Sequence, residues 1–309
     1  MLAGSTRSGL TESTHRTSAI ALDRRGRLLL TWGDPDIPVF YRSAVKPFQA
    51  TVSLEAGAAL APEEVAIICA SHCGAPTHIA YVRSILRSAG LDERALLTPP
   101  AWPLGPSSAA RRRNSGEQNP RRIYHNCSGK HSGWLAGSVA AGWQTQSYLN
   151  PSHPIQQAVL DAVHDATGAD PTPTGIDGCG APTLRGTVRG LARAFVTLTT
   201  DDRYRRVAEA MSRFPALAGG NERAANKVAA WWGGPIKGGA QGLLAAGRDG
   251  VAIAVKAADG AHWVATVAMM EAMRRLGMLS SAALAALEDV AAPPVWGGGN
   301  RVGRVEINE

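Results

Sequence analysis

Lysine is scarce in this chain, and it is concentrated where it could do chemistry. The sequence holds five lysines against 27 arginines. Only Lys227 lies in a stretch typical of ordinary surface, whereas Lys46, Lys130, Lys237 and Lys256 lie in compact settings rich in small residues. A buried lysine can lose its proton and an arginine cannot, so lysine is kept where an amine base is needed. The pattern indicates lysine chemistry.

Ser43 and Lys46 form an S-x-x-K pair, Ser43-Ala44-Val45-Lys46. On a helix, residues at i and i+3 lie on one face, so the amine could accept the proton of the hydroxyl. The amine must itself be neutral, which requires its pKa to fall from about 10.4 to roughly 7–8 through burial or a second cation, for which Lys256 is the candidate. The alternative for the pair taken alone is a surface serine and lysine, which the scarcity of lysine disfavours.

Ser71 lies where an apolar run, residues 65–70, breaks into Ser71-His72-Cys73-Gly74. The run is predicted to be buried, and the alternative for Ser71 is a serine that caps the next turn. Lys237-Gly238-Gly239-Ala240 is similar to the K-[ST]-G element of serine β-lactamases and penicillin-binding proteins, which share the S-x-x-K arrangement. Their middle S-D-N element is missing here, so this likeness is partial.

A second set of residues has the chemistry of a metal site. Cys127 is three residues from Lys130 and four from His131, a helical spacing that points the side chains one way, and Cys179 lies in a glycine-rich loop. Two thiolates and one nitrogen are plausible zinc ligands, although lysine is rare in that role. The alternative from spacing alone is that the cysteines are buried, reduced packing residues.

The elements that must position these residues alternate between strands and helices. Two strands, at 18–22 and 27–32, flank a turn, and a buried strand at 251–255 leads into Lys256. Helices are predicted at 43–57, 77–89, 129–141, 152 or 154 to 168, 184–198, 202–214 and 261–276. The sequence therefore predicts an α/β fold with a mixed or antiparallel central sheet and surrounding helices. We expect one catalytic domain over residues 1–309, with two interleaved lobes as the alternative.

Composition restricts the partners. The chain of 309 residues is 45% hydrophobic and 18% charged, which is typical of a soluble globular protein. Its net charge is +7, but the arginines cluster only at Arg111–Arg113 and Arg121–Arg122, around a polar stretch typical of a mobile loop. No recognition motif accompanies this charge, so we expect no nucleic-acid partner.

The location is predicted from segments that the sequence lacks. The first thirty residues show no signal segment, and no run of about 18 apolar residues is long enough to span a membrane. Four cysteines do not make a disulfide framework in a chain of this length. We therefore expect a cytoplasmic protein with reduced thiols and no membrane partner.

Taken together, the motifs are far more specific than any one of them. They occur in the order Gly33-Asp34-Pro35-Asp36, Arg42-Ser43-Ala44-Val45-Lys46-Pro47, Ala70-Ser71-His72, Asn126-Cys127-Ser128-Gly129-Lys130-His131, Gly175-Ile176-Asp177-Gly178-Cys179-Gly180-Ala181-Pro182 and Lys237-Gly238-Gly239. From about Thr6 to Asp259 the chain resembles the rhizobial-type, or class 3, L-asparaginases, the asparaginase II family with tandem Ser-Lys catalytic pairs. The resemblance implies a fold related to serine β-lactamases and glutaminases, and hydrolysis of L-asparagine to L-aspartate and ammonia.

The resemblance also implies residue roles. Ser43 would be the nucleophile and Lys46 its base, and Ser71 with Lys256 would form a second couple that relays protons. Zinc would be held by Cys127, Lys130 and Cys179, one ion per chain, and would support substrate binding. The implied substrate-site residues are Arg42, His72, His131, Asp177 and Gly239. The expected assembly is a homodimer.

The chain also departs from the family pattern. The family usually reads Ser-His-Ser-Gly-Glu where this chain has Ser71-His72-Cys73-Gly74-Ala75, residues 216–230 lack the usual pattern, and the arginine-rich stretch at 111–122 is its own. These departures put substrate preference in question more than reaction class. Two rival functions stay open: a β-lactamase or D-peptidase-like acyl hydrolase, and a non-catalytic zinc-containing binding protein of the same fold.

Overall fold

An antiparallel sheet of eight strands forms the centre of the described residues, 1–220 and 223–308, in the computed structural model. Its strands are β1 (Leu2–Arg7), β2 (Leu10–Leu22), β3 (Leu28–Trp32), β8 (Ile236–Gly239), β9 (Leu243–Arg248), β10 (Val251–Ala257), β11 (Pro294–Gly297) and β12 (Asn300–Asn308). The order is β11-β12-β1-β2-β10-β9-β8, and β3 pairs with β2 beside this path. Two small ribbons pair β4 (Pro38–Phe40) with β7 (Arg185–Thr187), and β5 (Gly175–Ile176) with β6 (Pro182–Thr183).

Helices cover both faces of this sheet. They are α1 (Lys46–Glu55), α2 (Pro62–Ile68), α3 (Pro76–Ser88), α4 (Pro106–Asn114), α5 (Ser128–Ala140), α6 (Pro154–Thr167), α7 (Val188–Thr200), α8 (Arg205–Arg213), α9 (Pro215–Gly219), α10 (Ala224–Trp232), α11 (His262–Arg275), α12 (Ser281–Ala286) and α13 (Glu288–Ala291). Short 3₁₀ turns lie at Arg42–Val45, Glu93–Ala95, Arg122–Tyr124 and Asp202–Tyr204. None of the helices in the described residues is long and apolar enough to cross a membrane.

The central strands are apolar on both faces, because each face packs against helices. Ile20 and Leu22 on β2 belong to one hydrophobic cluster, while Ala19 and Ala21 belong to the other. Successive side chains of a strand point to opposite faces, so this alternation divides the core into two layers. The first layer includes residues of α1 to α3 and α5 to α9, and the second includes residues of α10 to α13. The prediction of an α/β fold with an antiparallel sheet is confirmed.

Several predicted elements are confirmed, and others need correction. The hairpin of β2 and β3 pairs Ala19 with Trp32, and the predicted helices at 77–89, 129–141 and 261–276 match α3, α5 and α11 within about one residue. The predicted helix at 184–198 is wrong at its start, because β7 precedes α7. The apolar run before Ser71 is buried as expected, and it forms the end of helix α2.

The arginine-rich stretch is partly helical. Arg111–Arg113 form the last turn of α4, and the polar stretch after it holds Glu117, which accepts hydrogen bonds from Tyr124 Oη at 2.7 Å and Arg121 Nη1 at 3.3 Å. The single catalytic domain over residues 1–309 stays a prediction, and positions 221, 222 and 309 lie outside the described residues.

Candidate active site

Several of the motif residues line one cavity of about 390 Å³, among them Ser43, Ser71, Lys237 and Gly239. They come from the turn before α1, the segment after α2 and strand β8, which the fold brings together across nearly 200 residues of chain. The rest of the wall includes Leu104, Asn126, Arg223, Ile236, His262 and Trp263. The two serines of the motifs therefore share one solvent-filled space with a buried lysine.

Ser43 is presented by a strained turn. Arg42, at the start of the 3₁₀ turn between β4 and α1, has a positive φ of 50°. Non-glycine residues rarely adopt this left-handed conformation, and such strain persists only where surrounding contacts enforce it. Arg42 Nε donates to Asp177 Oδ1 at 2.7 Å, which fixes the side chain. Burial acts to raise the pKa of Asp177, but Lys130 and Arg42 outweigh it and hold the pKa below its ordinary value.

Lys46 begins α1 and is 1% exposed. Its Nζ donates to Ala70 O at 2.5 Å, to Ser71 Oγ at 3.1 Å and to Cys127 Sγ at 3.3 Å. No hydrogen bond joins it to Ser43 Oγ, although both residues are described and one turn separates them. Lys46 therefore contacts the second serine directly and lies one turn behind the first.

Ser71 lies between two lysines. Besides the bond from Lys46, its Oγ accepts a hydrogen bond from Lys237 Nζ at 2.9 Å. Lys237 is 5% exposed and also donates to Gly238 O at 3.1 Å. Two ammonium groups on one hydroxyl would repel each other, so this arrangement favours loss of a proton from at least one amine.

Burial is the main influence on both amines. Burial lowers the pKa of Lys46, opposed by Cys127 and assisted by Lys130. Burial also holds the pKa of Lys237 well below its ordinary value, and the positive charges of Lys46 and Arg223 act in the same direction. Burial, together with these positive neighbours, thus favours the neutral amine that a Ser-Lys pair needs.

The predicted couple of Ser71 with Lys256 is not formed. Lys256 Nζ bonds to the carbonyl oxygen of Ala257, and the residue is only half-buried. Lys256 is on β10 and Lys237 on β8, with β9 between them. Neighbouring strands lie about 4.8 Å apart, so the two lysines start from backbones roughly 10 Å apart, and Ser71 lies beside the β8 residue. The lysines that Ser71 contacts in the structure are Lys237 and Lys46, and the catalytic role of Lys256 stays a prediction.

The two predicted histidines are structural neighbours of the site. His72 is fully buried, its Nε2 lies 2.9 Å from Ser128 Oγ, and it stacks on His78. His131 is equally buried, and its Nδ1 lies 2.8 Å from Tyr148 Oη. Burial holds the pKa of both imidazoles well below the ordinary value, so both are neutral near pH 7. Neither lines the cavity, and each leaves one ring nitrogen without a partner.

Gly239 lies at the end of β8, where the backbone approaches the turn that carries Ser43. A Cβ at Gly239 would lie 2.6 Å from Tyr41 O, closer than real Cβ contacts allow. Glycine is therefore required at this position by sterics. Gly239 lines the cavity, as expected of a substrate-site residue, and because it has no side chain only its backbone can contact a substrate there.

The predicted metal ligands are brought together. Cys127 and Lys130, around the start of α5, and Cys179, in the loop between β5 and β6, are all buried. Lys130 Nζ donates to Cys179 Sγ at 3.3 Å. The pKa of the Cys179 thiol is lowered to about 5. The largest cause is the hydrogen bond from Cys127; burial acts in the opposite direction, and the positive charge of Lys130 lowers the pKa further. The cluster thus favours a thiolate, the form in which cysteine binds metals.

The donor set is compatible with zinc. Across a tetrahedral zinc ion an amine nitrogen and a thiolate sulfur lie about 3.5 Å apart, close to the separation of Lys130 and Cys179. Residues 1–220 and 223–308 contain no group of three or more His, Cys, Asp or Glu side chains that could hold a metal. A zinc ion here would therefore need Lys130 as a third ligand beside the two cysteines. In the absence of a metal, the amine of Lys130 pairs with the thiolate of Cys179.

Sequence reasoning missed two features of the site. Lys237 was noted only for its resemblance to the K-[ST]-G element, and this element was the signal that could have paired it with Ser71. Arg223 lies in the cavity wall but belongs to the stretch 216–230, which follows no family motif.

Comparisons with solved structures show weak likenesses. Mglu in its glutamate form matches with 14% identity and a TM-score of 0.49, over 85% of this chain and 61% of that chain. A β-lactamase from Mycobacterium bovis matches with 16% identity and a TM-score of 0.39, over 85% of this chain and 95% of that one. TM-scores below 0.5 support no inference about this chain. A comparison with curated proteins finds no match.

The family comparison covers nearly the whole sequence. A family model described as L-asparaginase II matches residues 3–307, which include every motif residue of the cavity and of the Cys-Lys-Cys cluster. A match of this extent shows membership, and the chain belongs to the L-asparaginase II family.

Proposed function

We propose that this protein hydrolyses L-asparagine to L-aspartate and ammonia through an acyl-enzyme on Ser43. The observation that carries the proposal is that Ser43 and Ser71 line one cavity, with Lys46 and Lys237 both hydrogen-bonded to Ser71. The family name, L-asparaginase II, supports amide hydrolysis.

In the first half-reaction Ser43 Oγ attacks the side-chain amide carbon. Its proton passes to the neutral amine of Lys46, one helical turn away, and then to the departing nitrogen, so that ammonia leaves and an ester to Ser43 remains. The backbone at Gly239 is the candidate oxyanion donor, a type of contact that contributes roughly 3–4 kcal/mol to barrier lowering.

In the second half-reaction water attacks the ester. The couple of Ser71 and Lys237 accepts the proton of the water and returns it to Ser43 Oγ as L-aspartate is released. This assignment gives each serine a lysine, and the contact between Lys46 and Ser71 links the two pairs, so a proton can move between them without entering bulk water.

Zinc, if bound, would be held by Cys127, Lys130 and Cys179, where it would supply a fixed positive charge that orders the pocket wall. Nucleophile and base are already supplied by serine and lysine. Lys46 Nζ also contacts Cys127 Sγ at 3.3 Å, so the state of this thiol influences the catalytic amine directly.

The deciding experiment compares Ser43→Ala and Ser71→Ala with the unchanged protein. Ammonia release is measured from L-asparagine, D-asparagine and L-glutamine, and acyl adducts are sought by mass spectrometry after reaction with an electrophilic asparagine analogue. We expect hydrolysis of L-asparagine, an adduct on the peptide of Ser43, and a loss of about 10³-fold or more in Ser43→Ala.

Other results would identify the rivals. An adduct that forms in Ser43→Ala and is lost in Ser71→Ala would make Ser71 the nucleophile. Hydrolysis of nitrocefin without release of ammonia from asparagine would favour the β-lactamase or D-peptidase-like alternative. A folded protein that forms no adduct and releases no ammonia would favour the zinc-containing binding protein.

A further inference from the structure

Arg223 is a cation in the cavity wall that the mechanism does not use. It immediately precedes α10 and shares the wall with Ser43, Ser71 and Lys237. It forms no ion pair or side-chain hydrogen bond with any residue in 1–220 or 224–308. Burial lowers the pKa of Arg223, with smaller opposing influences from Cys73 and Cys127, yet a guanidinium stays charged in proteins.

The other cations near the site are already engaged. Arg42 is paired with Asp177, and Lys46 and Lys237 are hydrogen-bonded to Ser71. A charged guanidinium in a wall without a described carboxylate partner leaves a positive site, which an anionic group of the substrate can neutralise with a bidentate, charge-assisted contact.

Electrostatic effects on the neighbours show how strongly this charge acts on the cavity. The positive charge of Arg223 adds to burial in lowering the pKa of His262 and of Lys237, both in the same wall. Lys237 and Lys256 act on His262 in the same direction. These shifts favour the neutral forms of Lys237 and His262, whereas the guanidinium of Arg223 keeps its charge, so an anion bound in the cavity would be attracted to Arg223.

We propose that Arg223 binds the α-carboxylate of the substrate, so that this cavity selects amides that also carry a carboxylate. The inference rests on the proposed amidase function for the reaction, and it adds the subsite that recognises the non-reacting end of the substrate. The cavity of about 390 Å³ leaves room for both ends of a molecule as small as asparagine. Because residues 216–230 depart from the family pattern, this subsite would be a property of this chain.

The test compares Arg223→Gln with Lys227→Gln. Lys227 is on α10, four residues after Arg223, and it is outside the cavity wall, so the control removes the same charge from the same segment. Both side chains are solvent-exposed, and only that of Arg223 lines the cavity. The substrates are L-asparagine, succinamate, which keeps the carboxylate and lacks the amine, and 3-aminopropanamide, which keeps the amine and lacks the carboxylate. Arg223→Lys, with thermal unfolding of every variant, separates lost recognition from lost folding.

We expect Arg223→Gln to lower kcat/KM for L-asparagine and succinamate by about 10- to 100-fold, mainly through KM, because a hydrogen bond to a charged group is lost. Its kcat/KM for 3-aminopropanamide should stay within twofold, and Arg223→Lys should recover part of the loss. Lys227→Gln should leave all three substrates unchanged. An equal loss on all three substrates in Arg223→Gln, or an unchanged KM for asparagine, would overturn the inference.

A binding measurement keeps this inference separate from the amidase proposal. The dissociation constant of succinamate is measured by calorimetry in Ser43→Ala, with and without the Arg223→Gln change. Weaker binding by about 10-fold or more supports the subsite even if the unchanged protein releases no ammonia, in which case the amidase proposal alone fails. If succinamate binds equally to the two variants, or to neither, the proposed subsite is wrong, whether or not the unchanged protein hydrolyses asparagine.

Discussion

Ser71 Oγ accepts a hydrogen bond from Lys237 Nζ at 2.9 Å, and this contact favours Lys237 over Lys256 as the lysine of the proposed second couple. Lys237 and Lys256 both follow apolar residues at a strand, and both are plausible amines in the sequence. Cross-strand pairing places Lys237 opposite Ala245, which pairs in turn with Ala254 of β10, two residues before Lys256. Directly opposite residues, and residues two apart on one strand, share a face of the sheet, so the two lysines point to the same side. They lie at different heights along the strands and are two strands apart.

The first prediction separates these two lysines. Lys237→Ala should lower kcat for L-asparagine by about 10³-fold, because it removes the partner of Ser71 from a unit that acts together. Lys256→Ala should change kcat less than about threefold, since the Lys256 amine is hydrogen-bonded to the carbonyl of Ala257 and makes no hydrogen bond to Ser43 or Ser71. Steady-state kinetics on both variants decide this. Equal losses would return Lys256 to the catalytic unit.

The second prediction concerns pH. Both catalytic lysines must be neutral, and burial lowers the pKa of each below the ordinary value of 10.5. Protonation at low pH therefore inactivates the enzyme, so kcat/KM should rise with pH and level off with a midpoint below 10.5. Lys46→Arg should abolish activity at all pH values, because a guanidinium cannot accept the proton. A profile that peaks near pH 5 and falls above it would indicate a carboxylate or histidine base.

The third prediction concerns the two glycines after Lys237. Gly239→Ala would place a Cβ 2.6 Å from Tyr41 O, which forces the turn carrying Ser43 to move. We expect a loss of about 1–3 kcal/mol in stability and a larger relative loss in kcat. Gly238→Ala is the matched control, because its nearest contact would lie at 3.7 Å, an ordinary van der Waals distance. Thermal unfolding and kinetics of both variants provide the comparison, and equal behaviour would contradict it.

The fourth prediction concerns the metal. If zinc binds to Cys127, Lys130 and Cys179, chelation should raise KM or lower thermal stability more than it lowers kcat, because serine and lysine already supply nucleophile and base. Occupancy should fall at low pH, where the ligands take up protons. Metal analysis of the native protein and of a Cys127→Ser, Cys179→Ser double variant is the measurement. Equal, negligible zinc in both, with equal KM, would make the cysteines packing residues.

The sequence by itself indicates an amide hydrolase and locates the longer helices, but it leaves out most strands and the short helices. The spacing of Ser43 and Lys46 and the scarcity of lysine point to Ser-Lys chemistry, and the position of Pro47 and the apolar periodicity locate α1, α3, α5 and α11 within a few residues. These properties depend on residues close together in the chain. The helix at the run before Ser71 was harder to predict, because a short apolar run fits a buried helix as well as a strand.

Only the tertiary structure decided which distant groups meet. Arg42 contacts Asp177 across 135 residues, and Ser71 contacts Lys237 across 166. Arg223 lines the cavity of Ser71 from a position just before α10, in a stretch without a motif. The order and register of the strands place Lys237, and not Lys256, beside Ser71. This order and register are stabilised by the two helical layers that pack on the faces of the sheet. The likeness of Lys237 to the K-[ST]-G element marks it as a candidate in the sequence, but only the packing of the segment after α2 against β8 brings its side chain into contact with Ser71.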